Sequence, residues 1–283
     1  MEIIGIQTDI AWEERDTNFA RVRAMLAAVR IAPGSLLVLP EMFAIGFTMD
    51  ATKLDRGRET ELFLQNLARQ YQSYVIGGVA SQTGKVAANE AMVFSPEGTR
   101  LGRYRKMHPF SMAGEGEVYE TGNQVKVVTC GQLKVAPTIC YDLRFPELYR
   151  KVTSLGAEVL VVIANWPVAR IDHWQTLLKA RAIENQAYVI GINRVGEDPQ
   201  HTYNGRSMII DPRGQTLAEG GNAPMLLRST MEARLVSEWR VVFPALADRR
   251  DDWTDAKGSA SEVGTKPGSG KRLDAEMPAQ KME

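Results

Sequence analysis

The sequence predicts an α/β fold in which strands and helices share one core, and three observations carry that expectation. Short apolar clusters alternate with longer amphipathic stretches along most of the 283 residues, as layered sheets and helices require. The residues are 44% hydrophobic, enough to bury a sizeable core. Runs such as IIGIQ (3–7), LLVLP (36–40) and VLVVIA (159–164) read as buried strands.

Taken in order, IIGIQ is the first strand. NFARVRAMLAAVR (18–30) is a helix because Phe19, Val22, Met25, Leu26 and Val29 recur at helical spacing. LLVLP then closes a β-α-β start. A second helix is expected in ELFLQNLARQY (61–71), then strands at 74–80 and around 87–96, with Thr83-Gly84 as the turn. Strands recur at 125–129 and 133–140, a helix at 146–156, a strand at 158–164 and a helix at 174–186. YVIGINR (188–194) and SMIIDP (207–212) complete the set, with Asp211-Pro212-Arg213-Gly214 turning into another short strand. Residues 1–253 therefore read as one domain. After Trp253 the aromatics stop, and 8 of the last 30 residues are hydrophobic. Such a composition cannot build a core, so 254–283 is expected to be a disordered tail.

Thirty-four basic residues balance 34 acidic ones, which leaves no field to draw in nucleic acid or an anionic membrane. No apolar run approaches the roughly 20 residues of a membrane span, and no signal-peptide pattern opens the chain. Cys130 and Cys140, the two cysteines, are expected as free thiols in a reducing, cytoplasmic setting. His108, His173 and His201 are too dispersed to form a local metal site. Gly77-Gly78 lies within a strand and lacks the companions of a phosphate loop.

Three side chains draw attention. Cys140 ends the strand VAPTIC before the polar turn YDLRFPE, where backbone N–H groups could favour its thiolate, although a packed core cysteine also fits. Cys130 precedes Gly131 in a turn between strands. Glu41 follows LLVLP and precedes Met42 and Phe43; a carboxylate in such company is costly unless it has a task, and burial is expected to raise its pKa into the range of a general base. Lys106, in GRYRKMHPF, could reach a developing oxyanion or be an ordinary solvated lysine.

LPEMF (39–43), YRKMHPF (104–110) and ICYDLRFPELYR (139–150) resemble, in order, the Glu, Lys and Cys motifs of the nitrilase, or carbon–nitrogen hydrolase, superfamily. ANWP (164–167) and HWQTLLKARAIENQAYV (173–189) look like its later segments, and within it the omega-amidase type is the nearest resemblance. The resemblance implies a four-layer α-β-β-α sandwich and a homodimer. It also implies Cys140 as nucleophile, Glu41 as general base, Lys106 and the Tyr141 N–H at the oxyanion, and Glu115 as an orienting second glutamate, with Glu117 close by. Arg144 would bind the carboxylate of an ω-amide such as 2-oxoglutaramate, unless it pairs with Asp142 or Glu147; Trp166 and Phe110 would form apolar walls. No metal or organic cofactor is implied. Nitrilases, carbamoylases and deaminated-glutathione amidases share the triad, and the intact triad argues against a catalytically silent subunit. For the dimer, Trp174, Leu177, Leu178, Ala182 and Ile183 offer an apolar stripe on the helix at 171–186; the same stripe could cover its own sheet.

Overall fold

The computed structural model describes residues 1–83 and 85–250 and sorts the predicted strands into two sheets packed back to back. In chain order the elements are β1 (Glu2–Gln7), α1 (Arg15–Ala27), β2 (Leu36–Val38), α2 (Glu59–Tyr71), β3 (Tyr74–Thr83), β4 (Val86–Phe94), β5 (Arg100–Arg105), α3 (Glu115–Val118), β6 (Val128–Cys130), β7 (Leu133–Ile139), α4 (Pro146–Ser154), β8 (Val159–Ile163), α5 (Ile171–Asn185), β9 (Tyr188–Ile192), β10 (Val195–Glu197), β11 (Thr202–Asn204), β12 (Met208–Ile210), β13 (Thr216–Glu219), β14 (Met225–Thr230) and α6 (Ala233–Val242). All belong to the unit Met1–Ala247; Asp248–Glu283 is a second unit. The expected tail, 254–283, and Gly84 of the expected turn lie outside the described residues.

One sheet runs β14-β1-β2-β3-β4-β5 and the other β13-β12-β9-β8-β7-β6. Each has three parallel strands at its centre, β1-β2-β3 and β7-β8-β9, flanked by antiparallel ones. Alternation along each strand builds the layers. Ile3, Leu36, Val38 and Ile76 of the first sheet meet Val135, Val159, Val161, Ile190 and Ile192 of the second in one inner cluster. Ile4, Ile6, Leu37 and Val75 face Phe19, Val22, Leu64 and Leu67 of α1 and α2. Leu160, Val162 and Val189 face Tyr149 and Val152 of α4 and Trp174, Leu178 and Ala182 of α5. The order is α-β-β-α, and strands covered on both faces explain why their runs are continuously apolar.

Several expectations need correction. The strand expected at 125–129 begins only at Val128, because Val125 and Val127 dock on the outer cluster of the second sheet instead of entering a ladder. β2 is shorter than expected and stops before Pro40, which has no N–H for the ladder. β5 went unread because Arg100, Arg103 and Arg105 interrupt its apolar pattern; the hairpin β10–β11 and the pair β14–α6 were also missed. The stripe on α5 covers its own sheet: Trp174, Leu178 and Ala182 are fully buried within the chain, and Ile183 is exposed. No helix among the described residues is long and apolar enough to cross a membrane.

Candidate active site

Parallel strands release their chain toward one rim of the sandwich, where ligand sites of α/β sheets form. Glu41 follows β2, Cys140 directly follows β7, Asn165 lies just beyond β8, and Lys106 just beyond β5. Lys106 is pinned in the first sheet: its N–H donates to Asn89 O at 2.9 Å and its carbonyl accepts from the Gly122 N–H at 2.8 Å. Glu115 opens the short helix α3 and is buried, whereas Glu117 is exposed. The sequence left those two neighbours open; burial separates them.

The buried Lys106 ammonium donates to Glu41 Oε1 at 2.9 Å and to Glu115 Oε1 and Oε2 at 3.0 and 2.8 Å. It is therefore no solvated lysine. Asn89 Nδ2 donates to the same two carboxylates, at 2.7 Å to Glu41 and 2.9 Å to Glu115. Glu41 Oε2 accepts from the Asn165 N–H at 2.8 Å, and Glu115 Oε2 from the Phe110 N–H at 2.6 Å. Burial alone would raise the Glu41 pKa, but the Lys106 charge and the hydrogen bonds from Lys106, Asn89 and Asn165 hold it below its ordinary value. That reverses the expectation of a raised value. Burial would lower Lys106, and the charges of Glu41, Glu115 and Cys140 outweigh it and keep the ammonium charged.

Cys140 sits at the start of a tight turn, Cys140–Arg144, with a left-handed φ of 47°. Asp142 fixes the turn: its Oδ2 accepts from the Ile139 N–H at 2.9 Å and the Tyr104 hydroxyl at 2.7 Å, and its Oδ1 from the His108 N–H at 3.1 Å. The His108 ring nitrogen Nδ1 lies 2.8 Å from that same oxygen and the ring stacks on Phe145. Arg181 of α5 donates to Leu143 O at 2.7 Å from behind. The thiol lies 3.8 Å from Asn165 O. Burial first, then the negative charge of Glu41, push it well above its ordinary pKa, with Lys106 opposing. Two carboxylates thus flank the single ammonium beside the thiol. Cys130, buried in the β6–β7 hairpin, is pushed up to about 12 by burial alone.

Above the thiol opens a cleft of about 440 Å³ lined by Phe47, Lys106, Phe110, Tyr141, Arg144, Asn165, Trp166, Arg170, His201 and Tyr203, among others. Phe110, Tyr141, Arg144 and Trp166, all singled out in the sequence, thus come together with Lys106 and Cys140. Arg144 lies over the Trp166 ring at 5.0 Å and contacts His173 Nδ1 at 3.0 Å; it forms no ion pair with Asp142 or Glu147. Sequence reasoning missed Asn89, Asp142, Asn165 and Arg170. Asn89 could have been found as a polar residue inside the apolar strand β4, since such a group must have partners. Among the described residues no cluster of His, Cys, Asp and Glu could hold a metal ion.

Back-to-back mixed sheets, helices outside and a Glu–Lys–Glu cluster beside a strand-end cysteine together define a hydrolase of carbon–nitrogen bonds. The chain belongs to the carbon–nitrogen hydrolase family, whose model matches residues 4–241. An omega-amidase of Yersinia enterocolitica is 39% identical over 253 residues, 88% of this chain and 96% of that protein. A 2-oxoglutaramate amidase of Bacillus subtilis is 33% identical over 251 residues, 87% and 96% of the two chains. Among solved structures, a CN-hydrolase superfamily protein of Xanthomonas campestris with an arsenic adduct in its active site has a TM-score of 0.82 at 30% identity, over 93% of this chain and 99% of that one.

Proposed function

We propose that this amide-hydrolysing enzyme removes the terminal amide of small dicarboxylic monoamides such as 2-oxoglutaramate, through a thioester on Cys140. The observation that carries the reading is the Glu41–Lys106–Glu115 cluster beside Cys140, at the floor of a cleft that also presents Arg144. In the first step the sulfur attacks the amide carbonyl while Glu41 takes the thiol proton, so the nucleophile is generated only as it is used. Lys106 and the Tyr141 backbone N–H stabilise the tetrahedral oxyanion. Glu41 returns the proton to the leaving nitrogen, and ammonia departs. Glu41 then draws a proton from water, whose oxygen attacks the thioester; the acid leaves and the sulfur recovers its proton. Glu115 has a positioning role: it accepts two hydrogen bonds from Lys106 and one from Asn89.

Arg144 would grip the substrate carboxylate in a two-pronged hydrogen bond, with Trp166 and Phe110 as walls. These side chains, one backbone N–H and water carry every step, so no cofactor is called on. We also propose a homodimer in the cytoplasm; a monomeric mass by light scattering would reject the dimer. The test of the activity is ammonia release from 2-oxoglutaramate, 2-oxosuccinamate, glutamine, an N-carbamoyl amino acid and a simple nitrile. Preference for the first two is expected, and Cys140→Ala should abolish it. Near-normal turnover by that variant would sink the mechanism.

A further inference from the structure

Two arginines line the cleft above Cys140, and the carbon skeleton of a short amide needs only one to hold a carboxylate. Arg144 comes from the turn that carries the cysteine. Arg170 comes from elsewhere: it ends the turn Val168–Arg170 and stands at the N-cap of α5. A cation there opposes the helix dipole, so helix stability does not account for it. Its side chain makes no hydrogen bond and no ion pair with any described residue; its guanidinium lies over the Phe110 ring at 5.5 Å. Its carbonyl accepts from Trp166 Nε1 at 2.8 Å, which fixes the backbone beside the aromatic that carries Arg144. Neither guanidinium forms an ion pair with a described aspartate or glutamate, and Glu41 and Glu115 at the cleft floor are taken up by Lys106.

Stacking on an aromatic uses the flat face of a guanidinium and leaves its in-plane N–H groups free for a carboxylate or carbonyl oxygen. Arg170 is held this way with its fork unpaired, and Arg144 is held this way with one nitrogen 3.0 Å from His173 Nδ1; neither has a carboxylate partner among the described residues, so both can take an anionic ligand. We infer that Arg170 is a specificity-determining residue, which together with Arg144 holds the anionic end of the substrate. The inference rests on the proposed carboxylate-bearing substrate and deepens it: selection for the carboxylate comes from two separate segments, one on the nucleophile turn and one at the head of α5.

The test measures kcat and KM for wild type, Arg170→Gln and Arg170→Lys with 2-oxoglutaramate and with pentanamide, which has the same chain length and no charge. Arg170→Gln is expected to raise KM for 2-oxoglutaramate about tenfold more than it raises KM for pentanamide, with kcat for 2-oxoglutaramate changed less than KM. Arg170→Lys should recover part of that loss, because it keeps the charge and not the fork. Wild-type enzyme indifferent to the carboxylate would overturn both the substrate reading and this one. Wild-type enzyme that prefers 2-oxoglutaramate, with that preference undiminished in Arg170→Gln, would overturn this inference alone.

Discussion

Glu41 and Cys140 interact in two opposed senses. The glutamate is the proposed acceptor of the thiol proton, yet its charge is also one reason the thiol holds that proton so firmly. Replacing it with glutamine removes both effects. Glu41→Gln is therefore expected to lower amide turnover by orders of magnitude while making Cys140 more acidic, so that iodoacetamide alkylates it faster at a fixed pH near 8. Alkylation that slows along with turnover would show that the carboxylate does not face the sulfur. Glu41 and Cys140 stood out in the sequence because each follows a strand pattern within a recognisable motif, and Lys106 stood out by its motif alone, since the strand before it was not legible. Asp142 and Asn89 were not legible as functional, since their value lies in partners from distant segments: Tyr104 and His108 for one, Glu41 and Glu115 for the other.

Glycine 78 shows what an element contributes beyond its pairing. It lies in β3, and a Cβ there would come within 2.3 Å of Met42 N and 2.5 Å of Glu41 Cα, both backbone atoms. Its N–H donates to Pro40 O at 3.1 Å. The sequence reading used Gly77-Gly78 only to reject a phosphate loop; the close passage of the Glu41 segment is invisible without the sheet order. Gly78→Ala is expected to displace Glu41 and cut kcat at least about tenfold, by steady-state kinetics on folded protein. A second element-level device sits ahead of α2. Asp55 accepts from the Thr60 N–H through both oxygens, at 3.1 and 3.0 Å, and burial together with its hydrogen bond to Glu59 raises its pKa to about 6. The folded protein thus holds this proton more tightly than the unfolded chain does, and the stability it brings is full below pH 4 and lost as pH rises through 6. Asp55→Asn keeps an acceptor for Thr60 and removes the carboxylate repulsion. It should stabilise by about 1 kcal/mol at pH 8, less any loss of the Arg15 pairing, with the gain shrinking toward pH 5 in urea unfolding.

At the scale of the whole molecule, the alternation of apolar runs was enough to predict the α/β class, while the back-to-back stacking of two sheets came only from the family resemblance. The reason is physical: an inner and an outer face are equally apolar in a strand buried on both sides, so periodicity does not tell which neighbour covers which face. Gly5 and Ile192 mark where the sheets meet. Gly5 is on β1 of one sheet and Ile192 ends β9 of the other, and a Cβ added to Gly5 would lie 2.3 Å from Ile192 Cδ1.

That contact predicts a size-swap across the layers. Ile192 is fully buried in the inner cluster, so Ile192→Ala should cost about 2–5 kcal/mol through lost contacts and a cavity. Gly5→Ala alone should cost about 1–3 kcal/mol, because the new methyl meets a filled position. Together the two changes place the methyl in the space the isoleucine vacated. The double variant should then be more stable than the sum of the single losses by about 1 kcal/mol or more, measured as a double-mutant cycle in urea unfolding. The coupling has meaning only if both sheets unfold in one transition, which coincident fluorescence and circular dichroism curves would establish. Strictly additive losses within that single transition would mean that the two sheets do not touch at Gly5 and Ile192.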